Sequence, residues 1–370
     1  MIYLDYQATT PLAPEVAAAM RPWIEEKYAN PHSPSRWGAE AAAAIEHARD
    51  QVLTEVGLDE GRFIFTSGAT EALNWAIKGT IEKSERRKIV TITTEHAAVL
   101  DSAEWLEGRG YQVVRLPVDS DGQVDLAAAE EAIDVKTALV AAMLINNEIG
   151  TIQPVDALAI MAHRVGAVML CDAVQGFGRI DLPEAADLIA ISGHKIHGPK
   201  GVGGLWIRKG HEPAPLLHGG GQEAGLRSGT LSPALCVGLG TAARVANERR
   251  EADLAHVERL FEVALATLGE GWTLNGGIEH RYRGNLNLHR EGLDAARLIG
   301  ELRNLAFSLG SACASGSGRP SHVLRALGLN DRQARSSIRL GFGRYTGEAE
   351  LVSACRTIAA AAEAQRSFAA

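Results

Sequence analysis

Four cysteines are spread along this 370-residue chain, and only one sits where a thiol is free to react. Cys171, Cys236 and Cys355 lie in the apolar or helical settings VMLCDAV, ALCVGL and VSACRT, where a thiol packs as a small core residue. Cys313 lies in SLGSACASGSGRPS, residues 308–321, among serines, alanines and three glycines. A loop thiol of this kind is a candidate nucleophile once part of it is thiolate. The scattered positions, with no C-x-x-C and no histidine at zinc spacing, argue against a metal site or a disulfide framework.

Three further stretches carry chemistry. In LIAISGHKIHGPKG an apolar run is followed directly by Ser192, His194 and Lys195. A lysine at the carboxyl end of a strand, in a site that excludes water, loses its proton easily enough to form a Schiff base; on an open loop it is a solvated charge. Upstream, GAVMLC runs into Asp172, with Gln175 shortly after. A carboxylate there either caps the next turn or faces a cationic group on a ligand. In FTSGATEALNWAI, Gly68, Ala69 and Thr70 form a turn that opens a helix. Its free N–H groups and the Thr70 hydroxyl make an anion site, or else Thr70 is an ordinary N-cap. Taken together, a phosphate loop, a strand-end lysine and a strand-end aspartate are what pyridoxal phosphate requires. The phosphate is held, the aldehyde captured and the pyridinium nitrogen kept protonated. The GPKGVGG stretch echoes a dinucleotide loop, but it precedes an apolar run instead of following one and carries no weight.

These residues need elements to position them. From about 62 to 207, RFIFT, KIVTIT, YQVVRL, TALVAAML, GAVMLC, LIAIS and GGLWI alternate with helical patterns. That alternation predicts an α/β fold with a mostly parallel sheet covered by helices, in which ligands sit beyond the carboxyl ends of the strands. SPALCVGLGTAARVANERREADLAHVERLFEVALATL follows, with Ser232 as N-cap and Pro233 at the first helical position, and predicts one long or once-broken helix. The remainder, with RGNLNLH, DAARLIGELR, VLRALG, SSIRLGFG and an alanine-rich end, predicts a smaller α+β domain. We expect a large domain over 12–255 and a small one from 1–11 with 256–370, the latter carrying the 308–321 arm.

Composition narrows the function classes. With 46% hydrophobic and 22% charged residues the chain can build a large core. A formal charge of -8 argues against a nucleic-acid surface, and the clump EKSERRK, mixed in sign, is expected to be a solvated face. No apolar run approaches the roughly 20 residues that span a bilayer, and MIYLDYQATTPLAPEV has acids where a signal peptide places bases. The expected location is cytoplasmic, with no membrane and no direct nucleic-acid partner.

From end to end the chain resembles the cysteine desulfurases of the class-V aminotransferase-like pyridoxal phosphate group. The motifs that carry the resemblance, in order, are YLDYQATTP, FTSGATEA, TTEHAAVLD, NNEIGTIQP, CDAVQG, SGHKIHGPKG, GGGQEAGLRSGTLSP, SLGSACAS, VLRALGLN and SSIRLGFGRYT. The resemblance implies the aminotransferase-like fold type I with a seven-stranded sheet in the large domain. It implies Lys195 as the Schiff-base lysine, Asp172 at the pyridine nitrogen, and His96 stacked on the ring. Asn147 would approach the ring or the substrate, and Gln175 the ring hydroxyl. Ala69, Thr70, Ser192 and His194 would bind the phosphate, helped by Thr230 from a second subunit of a homodimer. Arg339 would clamp the substrate carboxylate, a task that suits a forked guanidinium.

The implied reaction converts L-cysteine to L-alanine and leaves the sulfur on Cys313 as a persulfide, for delivery to an acceptor protein such as an iron–sulfur scaffold or a tRNA-thiolation relay. The long arm resembles that of the iron–sulfur-assembly type, and its glycines supply reach. Two departures stand out: GGGQEAG, with Gln222 and Ala224, where the resembling enzymes have a histidine and an arginine, and the polar SGSGRP of the arm. The alternatives are a selenocysteine lyase or another pyridoxal phosphate lyase or transaminase that does not use Cys313, and a scaffold that keeps the fold without the chemistry.

Overall fold

The structure, a computed structural model, describes residues 1–310 and 320–367. Cys313 and the middle of the expected arm lie outside the described residues. Strand β1 (Ile2–Tyr3) opens the chain, followed by helices α1 (Pro14–Glu25) and α2 (Arg36–Val56). The alternating region then forms β2 (Gly61–Thr66), α3 (Ala69–Glu82), β3 (Lys88–Ile92), α4 (Ala97–Glu107), β4 (Gln112–Leu116), α5 (Leu126–Ala132), β5 (Thr137–Met143), α6 (Val155–Arg164), β6 (Val168–Asp172), β7 (Leu188–Ser192) and β8 (Gly203–Arg208). After α7 (Pro233–Leu268) come β9 (Thr273–Leu274), β10 (Asn285–His289), α8 (Ala295–Glu301), β11 (Leu305–Ala306), β12 (Ser308–Leu309), α9 (His322–Ala326), α10 (Asp331–Arg335), β13 (Ser337–Gly341) and α11 (Glu348–Ser367).

The seven apolar runs form one seven-stranded sheet, ordered β2-β8-β7-β6-β5-β3-β4. The interior strands β5, β7 and β3 are buried at every residue, which is why they are near-continuous in apolar side chains and not alternating. β8 alone runs antiparallel, to β2 on one side and β7 on the other. Its link from β7 contains only a short 3-10 turn, Gly193–Lys195, and a parallel return would need a crossover helix. That reversal places Lys195 in the turn itself, at the sheet's carboxyl edge.

The long helix is continuous. The Ser232 hydroxyl accepts the Leu235 N–H and Pro233 occupies the first turn of α7, as the sequence predicts. The longer N-terminal part of α7, including Leu239, Ala243 and Val257, packs into the core beside the large sheet with α1 and α2. Its C-terminal end, from Leu260 to Leu268, belongs to another core with Leu286, Ile338 and Leu340 of a four-stranded sheet, β12-β13-β10-β9. Leu4 also lies in this second core, and β1 pairs in parallel with β11. The EKSERRK clump is a solvated face only in part: Glu82, Lys83, Glu85 and Arg87 are exposed, while Arg86 and Lys88 are drawn inward. Lys88 is buried, opens β3 and pairs with Asp134 at 3.0 Å. Arg86 donates to the carbonyls of Thr137, Val165 and Gly166, so the positive charges tie strand starts together.

One close approach shapes the active end of the sheet. A Cβ on Gly203 would lie 2.4 Å from the Ile191 carbonyl oxygen and 2.9 Å from the Gly68 Cα, so β8 meets the β2–α3 turn backbone to backbone. Gly68 has φ 153°, outside the range other residues adopt easily. We expect Gly203→Ala to lower stability by about 1–3 kcal/mol, the usual cost of overpacking, read as a fall in Tm. The same change should weaken anion binding at the turn, read by phosphate titration.

Candidate active site

A cavity of about 690 Å³ opens at the carboxyl ends of β2, β5, β6 and β7. Ten of the residues singled out in the sequence line it: Ala69, Thr70, His96, Asn147, Asp172, Gln175, Ser192, His194, Lys195 and Arg339. Its anion end is the N-terminus of α3. Gly68 is the N-cap and no side chain caps the helix, so its leading N–H groups face the cavity unpaired by any intrahelical carbonyl. Thr70 lies inside the first turn and not at the cap. Ser192, buried at the end of β7, and His194 border this end, with Lys200 nearby. His194 Nδ1 lies 3.2 Å from the Thr9 hydroxyl. Burial, then the charges of Lys195 and Lys200, pull the His194 pKa down to about 4, so its ring is neutral at pH 7.

Lys195 is held by the N-terminal segment. Its Nζ donates to the Gln7 carbonyl at 2.5 Å and the Ala8 carbonyl at 2.8 Å. Burial is the largest influence on its pKa, followed by Arg179 and Arg339; against Asp5 and Asp172 these bring it down to about 8. Asp172, 6% exposed, accepts the Val174 N–H at 3.0 Å. Burial raises the carboxyl, with the His96 charge, the Val174 N–H and Lys195 opposing it, and a cation on a ligand would favour its ionised form further. His96 is the N-cap of α4, and its Nδ1 accepts the Ala98 N–H at 3.1 Å, which fixes the ring over the cavity wall. Gln175 donates to the Gln7 carbonyl at 3.0 Å and accepts from Arg179.

Arg339 is fully buried, with its guanidinium at the cavity wall. It donates from Nη2 to Asp5 at 2.8 Å and from Nη1 to the Asn147 carbonyl at 3.0 Å, while its Nε has no acceptor among the described residues. A guanidinium oriented on two sides with one N–H open suits a carboxylate. The groups as a whole fit pyridoxal phosphate. An uncapped helix N-terminus suits its phosphate, a lysine with lowered pKa its aldehyde, and a buried carboxyl its ring nitrogen.

Sequence reasoning missed several participants. Gln7, Ala8 and Thr9 line the cavity, and the carbonyls of the first two hold Lys195; YLDYQATTP contributed to the resemblance without any residue being given a task. Glu95 was also missed. It is fully buried, accepts the Met143 N–H at 2.6 Å, and is pushed well above the carboxylate range by burial and then by Asp172. Burial and the neighbouring Asp172 carboxylate both favour the protonated form of Glu95.

Thr230 is exposed and does not line the cavity of its own chain. Gln222 accepts the Gly229 N–H at 2.9 Å beside it. Ala224 has a left-handed backbone, φ 56°, and borders a second cavity of about 660 Å³ at the β2 edge. There the Glu223 carboxylate is taken by Arg49 and by the Phe65 N–H at 2.9 Å. The three described cysteines are buried, as expected of core residues. Burial drives the thiol of Cys171 far up and those of Cys236 and Cys355 to about 12, so none of them supplies a thiolate at neutral pH. Among the described residues no cluster of His, Cys, Asp or Glu could hold a metal, and no helix is long and apolar enough to cross a membrane.

Comparison with known proteins agrees with this geometry. The Aminotransferase class-V family matches residues 2–353. A protein of Rickettsia bellii named cysteine desulfurase IscS is 45% identical over 368 residues, 96% of this chain and 90% of its own. Among solved structures, a NifS-like protein superposes with a TM-score of 0.91 at 35% identity, covering 97% of this chain and 98% of the other. A structure described as SspA in complex with cysteine superposes at 0.84 and 34% identity, covering 94% of this chain and all of that one.

The lowered lysine pKa has a measurable consequence. Only the unprotonated amine reacts with aldehydes, so reductive methylation of Lys195 in the cofactor-free protein should rise with pH through about 8. Exposed lysines should rise near 10.4. Peptide mapping across pH 6–11 checks the difference, and a Lys195 profile that coincides with theirs would refute the desolvated amine.

Proposed function

Since the chain belongs to the aminotransferase class-V family, and is a cysteine desulfurase within it, we propose how its residues divide the work of converting L-cysteine to L-alanine. The observation that supports this division most is the gathering of Lys195, Asp172 and Arg339 in one cavity. Pyridoxal phosphate is the cofactor of this reading, held by the α3 N-terminus with Ala69, Thr70, Ser192 and His194, and flanked by His96. Asp172 would meet the ring nitrogen and Gln175 the ring hydroxyl, with Thr230 of the second subunit of a homodimer completing the phosphate site. When bound, the cofactor supplies an electron sink for negative charge at the substrate Cα.

The protein's own groups do the rest. Arg339, oriented by Asp5 and the Asn147 carbonyl, holds the substrate carboxylate and so fixes which bond at Cα faces the Lys195 amine. Lys195 Nζ removes the Cα proton and returns it; an amine with pKa near 8 is suited to both directions at neutral pH. Asp172 holds a proton at the ring nitrogen, which a buried anion does better than water. The Cys313 thiolate then takes the substrate sulfur. An S–S bond forms as the C–S bond breaks, the electron pair stays on the three-carbon fragment, and that fragment leaves protonated as alanine. The persulfide passes to an acceptor protein, such as an iron–sulfur scaffold or a tRNA-thiolation relay. The reading places the enzyme in the cytoplasm, where thiols stay reduced.

Incubation of the loaded enzyme with L-cysteine, followed by intact-protein mass spectrometry and peptide mapping, tests the scheme. One added sulfur on Cys313 with alanine formed in step is the expected result. Cys313→Ala should keep the cofactor's visible absorbance and lose alanine formation to background; alanine at the wild-type rate would favour a lyase that needs no thiol. Lys195→Ala should lose the absorbance of the covalently held cofactor. Arg339→Lys, which removes the fork, should raise KM for L-cysteine about 10- to 100-fold, the range of a lost charge-assisted hydrogen bond.

A further inference from the structure

We propose that Glu148 is a positioning residue for sulfur transfer, its carboxylate fixing the end of the Cys313-bearing stretch at Ser321 on the substrate side of the cavity. The inference rests on Cys313 as the sulfur-accepting thiol. Gly310 precedes the thiol in the sequence and Ser321 follows it. At the first of these roots, the Asn287 amide donates to the Gly310 carbonyl at 3.3 Å and to the Glu148 carbonyl at 2.9 Å. At the second, the Ser321 hydroxyl donates to the Glu148 carboxylate at 2.5 Å. Asn287 thus holds Gly310 beside the Glu148 backbone, and the Glu148 side chain holds Ser321 directly.

The two roots also touch. A Cβ on Gly310 would lie 2.6 Å from Leu324 Cδ1, so α9 packs closely against the first root. The link to the carboxylate clamp is short. Glu148 follows Asn147, whose carbonyl accepts the Arg339 guanidinium, so the roots are fixed relative to the carboxylate clamp by one peptide unit. Glu148 is 4% exposed, and a buried carboxyl is costly unless its bonds are needed. Arg339 and His322 are the charged or titratable partners that face it.

With the roots fixed, both ends of the thiol-bearing stretch keep one position relative to the carboxylate clamp. With them loosened, the loaded enzyme binds L-cysteine as before but meets the thiol less often in a productive pose. The test compares Glu148→Ala and Glu148→Gln in the full-length loaded enzyme, because the amide oxygen of glutamine still accepts from Ser321. In single turnover, Glu148→Ala should slow persulfide formation on Cys313 about tenfold, equivalent to ~1.4 kcal/mol, with cofactor absorbance and KM for L-cysteine unchanged. Glu148→Gln should recover to within about threefold of wild type. Ser321→Ala should reproduce the slowing, and it carries the test if Glu148→Ala does not fold.

Wild-type transfer in both alanine variants, glutamine as slow as alanine, or a loss of absorbance and KM in proportion to transfer would each overturn the proposal while leaving the reaction intact. A wild-type enzyme that places no sulfur on Cys313 would instead sink the underlying reading, and this inference with it.

Discussion

A fully buried guanidinium sits where the parts of this protein meet. Arg339 comes from β13 of the small sheet, Asp5 from the N-terminal segment and Asn147 from the loop after β5 of the large sheet. Removing a guanidinium from water is costly unless its donors are satisfied, so the three pieces must come together correctly or the charge is stranded. Asp5 spends its other oxygen on the Ser308 hydroxyl at 2.9 Å, which extends the same constraint to β12 and to the start of the thiol-bearing stretch. Electrostatic satisfaction of one side chain therefore sets the relation between the carboxylate clamp, the lysine and the strand that leads to Cys313.

Much of the molecule was legible because its signals are local. Continuous apolar runs of five to seven residues marked all seven strands of the large sheet, and Ser232-Pro233 marked the start of α7. Lys195, Asp172 and Ala69-Thr70 were legible because strand ends and helix starts are where parallel sheets present ligands, and ten singled-out residues share one cavity. What was not legible depends on long-range pairing. Nothing in YLDYQATTP says that its carbonyls will meet a lysine nearly two hundred residues away. Nothing in NNEIG says which of its polar residues faces the cavity and which is buried against Ser321. The basic clump was legible only in part: its charge mixture marked the exposed residues but not that Arg86 and Lys88 satisfy carbonyls and a carboxylate at the sheet's amino edge.

The edge of the large sheet shows a different economy. β2 is a terminal strand, and an unpaired edge invites another chain. Here Arg49 donates to the Phe63 carbonyl and Glu223 accepts the Phe65 N–H, so a buried ion pair occupies the edge with polar groups in place of a further strand. The pair also fixes the segment that continues through Gln222 and Gly229 to Thr230, connecting edge protection to the geometry of a loop expected to serve a second subunit.

The pairing of β1 with β11, and of Asp5 with Gly341, joins residues about three hundred positions apart. Contacts of such separation are entropically costly to close and slow to form. The strands of the large sheet all lie between Gly61 and Arg208, whereas the carbonyls that hold Lys195 belong to the N-terminal segment that these distant pairings tie down. The restraint on the catalytic amine therefore rests on contacts that a folding chain closes at high entropic cost, while the sheet that carries the lysine rests on far more local ones.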